Sequence, residues 1–120
     1  MDLVKGIVEK GENRGKSIGF PTVNINTSSI KKPDGVYAVL VKTDRKILKG
    51  VANLGMAPTF GRKERFLEVH LFDFAENLYG KEIEVFFVKF IREEKKFPSA
   101  KDLIVQIQKD YKIAKEIFNK

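Results

Sequence analysis

The stretch from Lys32 to Asn53, Lys-Pro-Asp-Gly-Val-Tyr-Ala-Val-Leu-Val-Lys-Thr-Asp-Arg-Lys-Ile-Leu-Lys-Gly-Val-Ala-Asn, decides the fold. Lys32-Pro33-Asp34-Gly35 carries proline at its second position and glycine at its fourth, the chemistry of a reverse turn leading into a strand. Val36 to Thr43 and Ile47 to Asn53 are rich in apolar and β-branched residues, and the link Thr43-Asp44-Arg45-Lys46 suits a hairpin. So short a link joins antiparallel neighbours, because a parallel pair needs a crossover of a dozen or more residues.

Working outward, Leu3 to Glu9, Phe20 to Asn26, Phe66 to Phe74 and Glu82 to Ile91 read as four more strands bounded by turn residues. The gaps leave little room for crossover helices. The chain is therefore expected to be mainly β, a small six-stranded antiparallel barrel, closed or split, with a C-terminal α-helix. Ser99 can N-cap that helix, Asp102 suits its positive end, and Leu103, Ile107, Tyr111, Ala114 and Phe118 recur at helical spacing as a stripe that packs on the barrel. With no repeat, low-complexity run or linker, residues 1–120 are expected to be a single domain, barrel about 3–91 and helix about 99–118.

The 120 residues include 23 Lys and Arg against 16 Asp and Glu, a formal charge of +7 that favours anionic partners without choosing among nucleotide, nucleic acid and acidic membrane. The absence of cysteine excludes disulfides, thiol catalysis and cysteine-ligated zinc, and a lone histidine, His70, excludes a multi-histidine metal site. The first residues, Met-Asp-Leu-Val-Lys-Gly, carry no long apolar segment, and the longest apolar run, Val36 to Val41, is far too short to span a bilayer. A soluble, cytoplasmic protein is expected, with no membrane partner.

Chemistry concentrates first at Gly11 to Asn24, Gly-Glu-Asn-Arg-Gly-Lys-Ser-Ile-Gly-Phe-Pro-Thr-Val-Asn. Gly11, Gly15 and Gly19 permit positive-φ backbone whose amides can face an anion, with Arg14 and Lys16 adding charge, so a polyphosphate suits this loop. It is not a P-loop. Counting back from Gly15, the leading glycine of G-x-x-x-x-G-K-[ST] belongs at position 10, which is Lys10, and Gly19 and Pro21 disfavour the helix that such a lysine opens. Two-residue periodicity then puts Thr22 and Asn24 on one strand face, two neutral oxygen donors suited to orienting a Mg-nucleotide, or simply a solvated face beside a turn.

In Phe66 to Phe74 the same periodicity separates Phe66, Glu68, His70, Phe72 and Phe74 from Leu67, Val69 and Leu71. Glu68 among apolar neighbours is a candidate general base, its pKa raised by desolvation from about 4.3; the plain alternative is a glutamate on the outside of a barrel. His70 suits a hydrogen-bonding or core-edge role. Arg92 to Phe97 is a charged connector in which Phe97, beside Arg92 and Glu94, either holds a flat ring with polar edges or staples the helix to the barrel.

Six ordered motifs carry a resemblance: G-x-x-R-G-x-x-x-G-F-P-T-x-N from Gly11, G-V-Y-A at Gly35 to Ala38, N-x-G-x-x-P-T-F at Asn53 to Phe60, E-x-H-L-F-D-F at Glu68 to Phe74, L-Y-G at Leu78 to Gly80, and R-x-E-x-x-F at Arg92 to Phe97. Together they resemble the riboflavin kinase (flavokinase) family over nearly the whole chain, and the C-terminal kinase module of bacterial bifunctional riboflavin kinase/FAD synthetases in particular. That resemblance implies a six-stranded Greek-key barrel and an ATP:riboflavin 5′-phosphotransferase, with riboflavin/FMN and ATP/ADP as partners and Mg²⁺ or another divalent cation as cofactor. It implies Glu68 as the base; Gly11, Arg14, Gly15, Lys16, Gly19, Thr22, Asn24 and Tyr79 at the nucleotide; Thr22 and Asn24 at the metal; and Arg92, Glu94 and Phe97 around the flavin. Val23 departs from the alanine common in the family, on the strand face away from the metal. In a longer parent chain the implied partner is an N-terminal FMN adenylyltransferase domain.

Two other classes compete. A basic β-barrel that binds nucleic acid requires aromatics interleaved with Lys and Arg, whereas these aromatics cluster at 66–74 and 86–90 in core-like strands, so no nucleic-acid partner is expected. A non-catalytic flavin-binding barrel has no need of Thr22, Asn24 or Glu68.

Overall fold

The computed structural model describes residues 2–9, 22–26, 30–55, 65–72, 78–95 and 97–119. They form β1 (Asp2–Glu9), β2 (Thr22–Asn26), β3 (Gly35–Thr43), β4 (Lys46–Gly55), β5 (Phe66–Leu71), β6 (Glu82–Arg92) and α1 (Ala100–Phe118). All neighbouring strands are antiparallel, in the order β1-β2-β5-β4-β3-β6, with β6 returning to β1. The chain is thus mainly β, an antiparallel sheet curled into a barrel with one C-terminal helix. Among the described residues β1 and β2 meet through two pairs, Val8 opposite Ile25 and Glu9 opposite Asn24.

The hairpin expected at Thr43 to Lys46 is present. Thr43 pairs with Lys46 across a two-residue loop, and Asp44 takes the positive φ of 50° that such a tight return needs and that Asp tolerates better than most residues. The turn before β3 is clamped by Arg65, which donates from Nε to Asp34 (2.7 Å) and from its two terminal nitrogens to the carbonyls of Ile30 and Lys32, while the Tyr37 hydroxyl donates to the Pro33 carbonyl at 2.6 Å. One guanidinium therefore satisfies two backbone acceptors outside the sheet ladders and pairs with the Asp34 carboxylate.

Alternation divides β5 as expected. Leu67, Val69 and Leu71 point into the barrel with Val39, Leu54 and Val85, whereas Phe72 joins a second cluster outside the barrel with Val36, Ala38, Val51 and Ala114 of α1. Full burial of each such aliphatic side chain contributes about 1.5–3 kcal/mol. β5 ends at Leu71 rather than Phe74: Phe72 lies in a turn and its ring packs on Tyr111 of α1, centroids 4.0 Å apart, while 73 and 74 lie outside the described residues.

Helix α1 starts as its sequence predicts. Ser99 is extended (φ −152°, ψ 162°) and its hydroxyl accepts from the Asp102 amide at 3.2 Å while lying 3.1 Å from the Asp102 carboxylate. Among the described residues no helix is long and apolar enough to cross a membrane.

Candidate functional site

Strand register builds the site. Asn24 of β2 is opposite Glu68 of β5, Glu68 is opposite Asn53 of β4, Asn53 opposite Val36 of β3, and Val36 opposite Arg92 of β6. The candidate base and the first candidate flavin residue therefore lie on one lateral row, three interstrand steps or roughly 14 Å apart along the sheet. The parallel row sets Thr22 opposite His70 and His70 opposite Val51.

Glu68 lies on the face of β5 that turns away from the barrel interior, yet only 6% of its surface is exposed. The plain alternative of a solvated outer glutamate does not describe it. Asn53 beside it has an amide oxygen that is buried without a hydrogen-bond partner. His70, 8% exposed, is held neutral: burial lowers its pKa to about 4, with the Asp110 carboxylate opposing that shift.

The connector after β6 is bound to both strand and helix. Arg92 donates from Nε to both carboxylate oxygens of Asp110 (2.9 and 3.1 Å), from one terminal nitrogen to Asp110 Oδ2 (2.8 Å), and from the other to the Glu93 carbonyl (2.9 Å). Gln106, one turn earlier on α1, donates to Asp110 Oδ1 at 3.1 Å. The Phe97 ring lies 5.8 Å from the same guanidinium. Asp110 is 1% exposed, so this is a buried ion pair, and removing one partner of such a pair typically costs about 3–5 kcal/mol. Glu94 sits at the end of β4, its carboxylate against the α-carbon of Gly55.

Tyr79 is 41% exposed in a turn tied to the end of β1, where the Gly80 amide donates to the Val8 carbonyl and the Val8 amide to the Lys81 carbonyl, both at 2.9 Å. Two residues past Val8 lies Lys10, the approach to the glycine loop. Gly11, Arg14, Gly15, Lys16 and Gly19 lie outside the described residues. Of Thr22 and Asn24, strand register alone is described.

No cluster of three or more His, Asp or Glu side chains suited to a metal occurs among the described residues. The Glu68 carboxylate and the unpartnered amide oxygen of Asn53, opposite one another in register, are nonetheless hard donors of the kind that Mg²⁺ takes. That donor set fits a divalent cation bound mainly through phosphates.

Sequence reasoning missed Asn53, Gly55, Gln106 and Asp110. Asn53 and Gly55 stood inside the N-x-G motif without a role. Asp110 was signalled by its spacing, three residues after Ile107 and four before Ala114, which puts a carboxylate on the apolar stripe of α1.

An antiparallel barrel carrying a buried carboxylate opposite two asparagines, with a C-terminal helix pinned at the rim, defines the class, and the comparisons name it. Residues 3–118 match the Flavokinase (riboflavin kinase) family model, and the chain belongs to the riboflavin kinase family. It is 50% identical over 116 residues to the bifunctional riboflavin kinase/FMN adenylyltransferase of Haemophilus influenzae, covering 95% of this chain and 38% of that protein. It is 40% identical over 111 residues to the RNA-binding riboflavin kinase RibR of Bacillus subtilis, covering 92% of this chain and 48% of that protein. The crystal structure of riboflavin kinase from Trypanosoma brucei superposes with a TM-score of 0.68 at 19% identity, over 98% of this chain and 80% of that one, a likeness of fold. The chain thus spans well under two thirds of the curated relatives' length.

Proposed function

We propose that this chain transfers the γ-phosphate of ATP to the ribityl 5′-hydroxyl of riboflavin, giving FMN and ADP. The observation that carries the reading is the lateral row from Asn24 through Glu68 and Asn53 to Arg92, in a chain of the riboflavin kinase family. Its span of roughly 14 Å from Glu68 to Arg92 suits a ligand with a fused ring at one end and a reactive hydroxyl at the other.

Phosphoryl transfer needs positioning and charge neutralisation more than covalent chemistry. Glu68 accepts the proton of the 5′-hydroxyl as that oxygen bonds to the γ-phosphorus; the bond from phosphorus to the bridging oxygen breaks and ADP leaves with the electron pair. General-base help of this kind supplies about 10²- to 10⁴-fold. Burial of Glu68 keeps water from competing for the proton-accepting oxygens. The loop Gly11 to Gly19, with Arg14 and Lys16, covers the phosphates; Tyr79 lies by the nucleotide; Arg92, Glu94 and Phe97 surround the flavin. Thr22 and Asn24 hold Mg²⁺ or another divalent cation, which when bound neutralises phosphate charge.

The strand order supports reading the barrel as a Greek key, with β3, β4 and β5 consecutive neighbours and β6 returning beside β3. Residues 1–120 are read as one kinase domain, and an adenylyltransferase domain as its neighbour in a longer chain. Nucleic acid is not part of the proposal, because Phe72 and Phe87 are buried rather than displayed for base stacking.

Turnover of riboflavin with ATP, CTP and GTP in parallel, each with Mg²⁺, tests the reading. FMN formation with at least one nucleotide supports it. Tight flavin binding without any FMN would replace it with a flavin carrier.

A further inference from the structure

We infer that Asp110 is a positioning residue for the flavin end of the site, acting through Arg92 on the connector that ends at Phe97. The inference rests on the kinase reading for its substrate, and on geometry for its mechanism.

Arg92 is the last residue of β6, and its guanidinium reaches three other places. It is paired with Asp110 through Nε and a terminal nitrogen, it donates to the carbonyl of Glu93, the connector's first residue, and it lies 5.8 Å from the ring of Phe97, close to the connector's end. One planar group thereby touches both ends of a segment whose described residues, 93–95 and 97, have no helix or strand pairing of their own. The Asp110 carboxylate is in turn held by Gln106, four residues earlier on the same helix, so the strut ends on a rigid element.

This arrangement changes what Arg92 can do. A guanidinium held in a fork by a carboxylate that is 2% exposed has its charge neutralised and its plane fixed. It cannot swing out as a mobile cation toward a phosphate. What it offers a flavin is a fixed edge, with one hydrogen left on each terminal nitrogen, and a fixed neighbour in Phe97. Glu94 is seated against Gly55 within the same segment, so a shift of the strut displaces all three candidate flavin residues together. Among the described residues none of these hydrogen bonds reaches β2 or the turn of Tyr79, and Asp110 meets the ATP end only through its charge on His70, the residue opposite Thr22.

The test compares Asp110→Asn and Asp110→Glu with the wild-type chain, well below each protein's unfolding midpoint. Asp110→Asn removes the charge partner; Asp110→Glu keeps it but moves the carboxylate one methylene along, and it serves if Asp110→Asn does not fold. Riboflavin KM is expected to rise about tenfold or more in Asp110→Asn and less in Asp110→Glu, with ATP KM and kcat within about twofold of wild type. Amide exchange of Glu93, Glu94, Lys95 and Phe97 is expected to quicken in the ligand-free variants. Unchanged riboflavin KM together with unchanged exchange at these amides in a folded variant would overturn the inference, as would a rise in KM shared equally by riboflavin and ATP. A wild-type chain that turns over no riboflavin overturns the kinase reading instead, and the exchange measurement still decides whether Asp110 positions the connector.

Discussion

The carboxylate of Glu94 rests on the α-carbon of Gly55 with no room between them for a methyl group. Gly55 ends β4 with φ at +149°, so both its conformation and its lack of a side chain are used at this position.

Gly55→Ala is therefore expected to be costly twice over. Backbone strain of this kind amounts to about 1–3 kcal/mol, and the new methyl group drives Glu94 from its seat. Urea unfolding should show the first effect, and flavin fluorescence titration should show the second as a loss of affinity of about tenfold. Gly80→Ala is the control: φ is +82° there, but an added Cβ meets nothing within 4 Å, so stability should fall while flavin affinity holds. Equal flavin affinity in both variants would remove Glu94 from the flavin site.

Phe97→Ala is expected to weaken riboflavin binding by about tenfold or more, roughly 1.4 kcal/mol, because the ring held beside the Arg92 guanidinium is the aromatic face the connector offers. Fluorescence titration checks this. Wild-type affinity, with a lowered unfolding midpoint, would leave Phe97 as a staple between α1 and the barrel.

His70 gives the fold a pH dependence whose sign follows from its burial. Its folded pKa of about 4 lies below the unfolded value of 6.5, so between these values the unfolded chain binds more protons. The contribution of neutral His70 is present in full above pH 6.5 and is lost as pH falls toward 4, with a ceiling of about 3 kcal/mol. Denaturant unfolding of wild type and His70→Asn from pH 7.5 to 4 should show the stability difference between them shrinking as pH falls. A difference constant across that range would mean that His70 titrates alike in the folded and the unfolded chain.

The sequence made the strands legible because turn chemistry at Lys32 to Gly35 and Thr43 to Lys46 leaves few options for their neighbours, and alternation in Phe66 to Leu71 sorted Glu68 and His70 from the barrel interior. Burial of Glu68 was harder to see. Period-two reasoning identifies the face of a strand, but whether that face meets water depends on what the rest of the chain lays over it. The pairing of Arg92 with Asp110 was hidden for a related reason: it joins residues 18 apart across a strand end, a connector and a helix. Local periodicity carries no information about such a contact, although a lone aspartate on an apolar stripe announced that some cation had to meet it. Gly55 was visible as a motif letter only, since the atom that excludes a side chain there belongs to Glu94.

Thr22→Ala and Asn24→Ala are expected to raise the Mg²⁺ concentration needed for half-maximal turnover several-fold while leaving riboflavin affinity near wild type. Register sets these residues opposite His70 and Glu68, away from the Arg92 to Phe97 connector. A Mg²⁺ titration of initial rates at saturating riboflavin is the measurement. Unchanged Mg²⁺ dependence in both variants would sink the metal assignment, and activity lost only in step with stability would mark the two residues as structural.

Glu68→Gln separates chemistry from binding most sharply. The amide keeps the size of the side chain and most of its hydrogen bonding beside Asn53, so the row across the sheet should persist. What is lost is the proton acceptor. Turnover should fall by about 10²- to 10⁴-fold, the range that general-base assistance supplies, while riboflavin and ATP affinities stay within a few-fold of wild type. A purely structural glutamate predicts the reverse pattern, because an amide that disturbs the buried row lowers stability and both affinities together, and turnover by saturated folded enzyme is largely kept. Single-turnover rates measured from pH 6 to 9 decide between them. Near-normal rates for Glu68→Gln across that range would leave catalysis to positioning and the cation alone, and would require another acceptor for the hydroxyl proton.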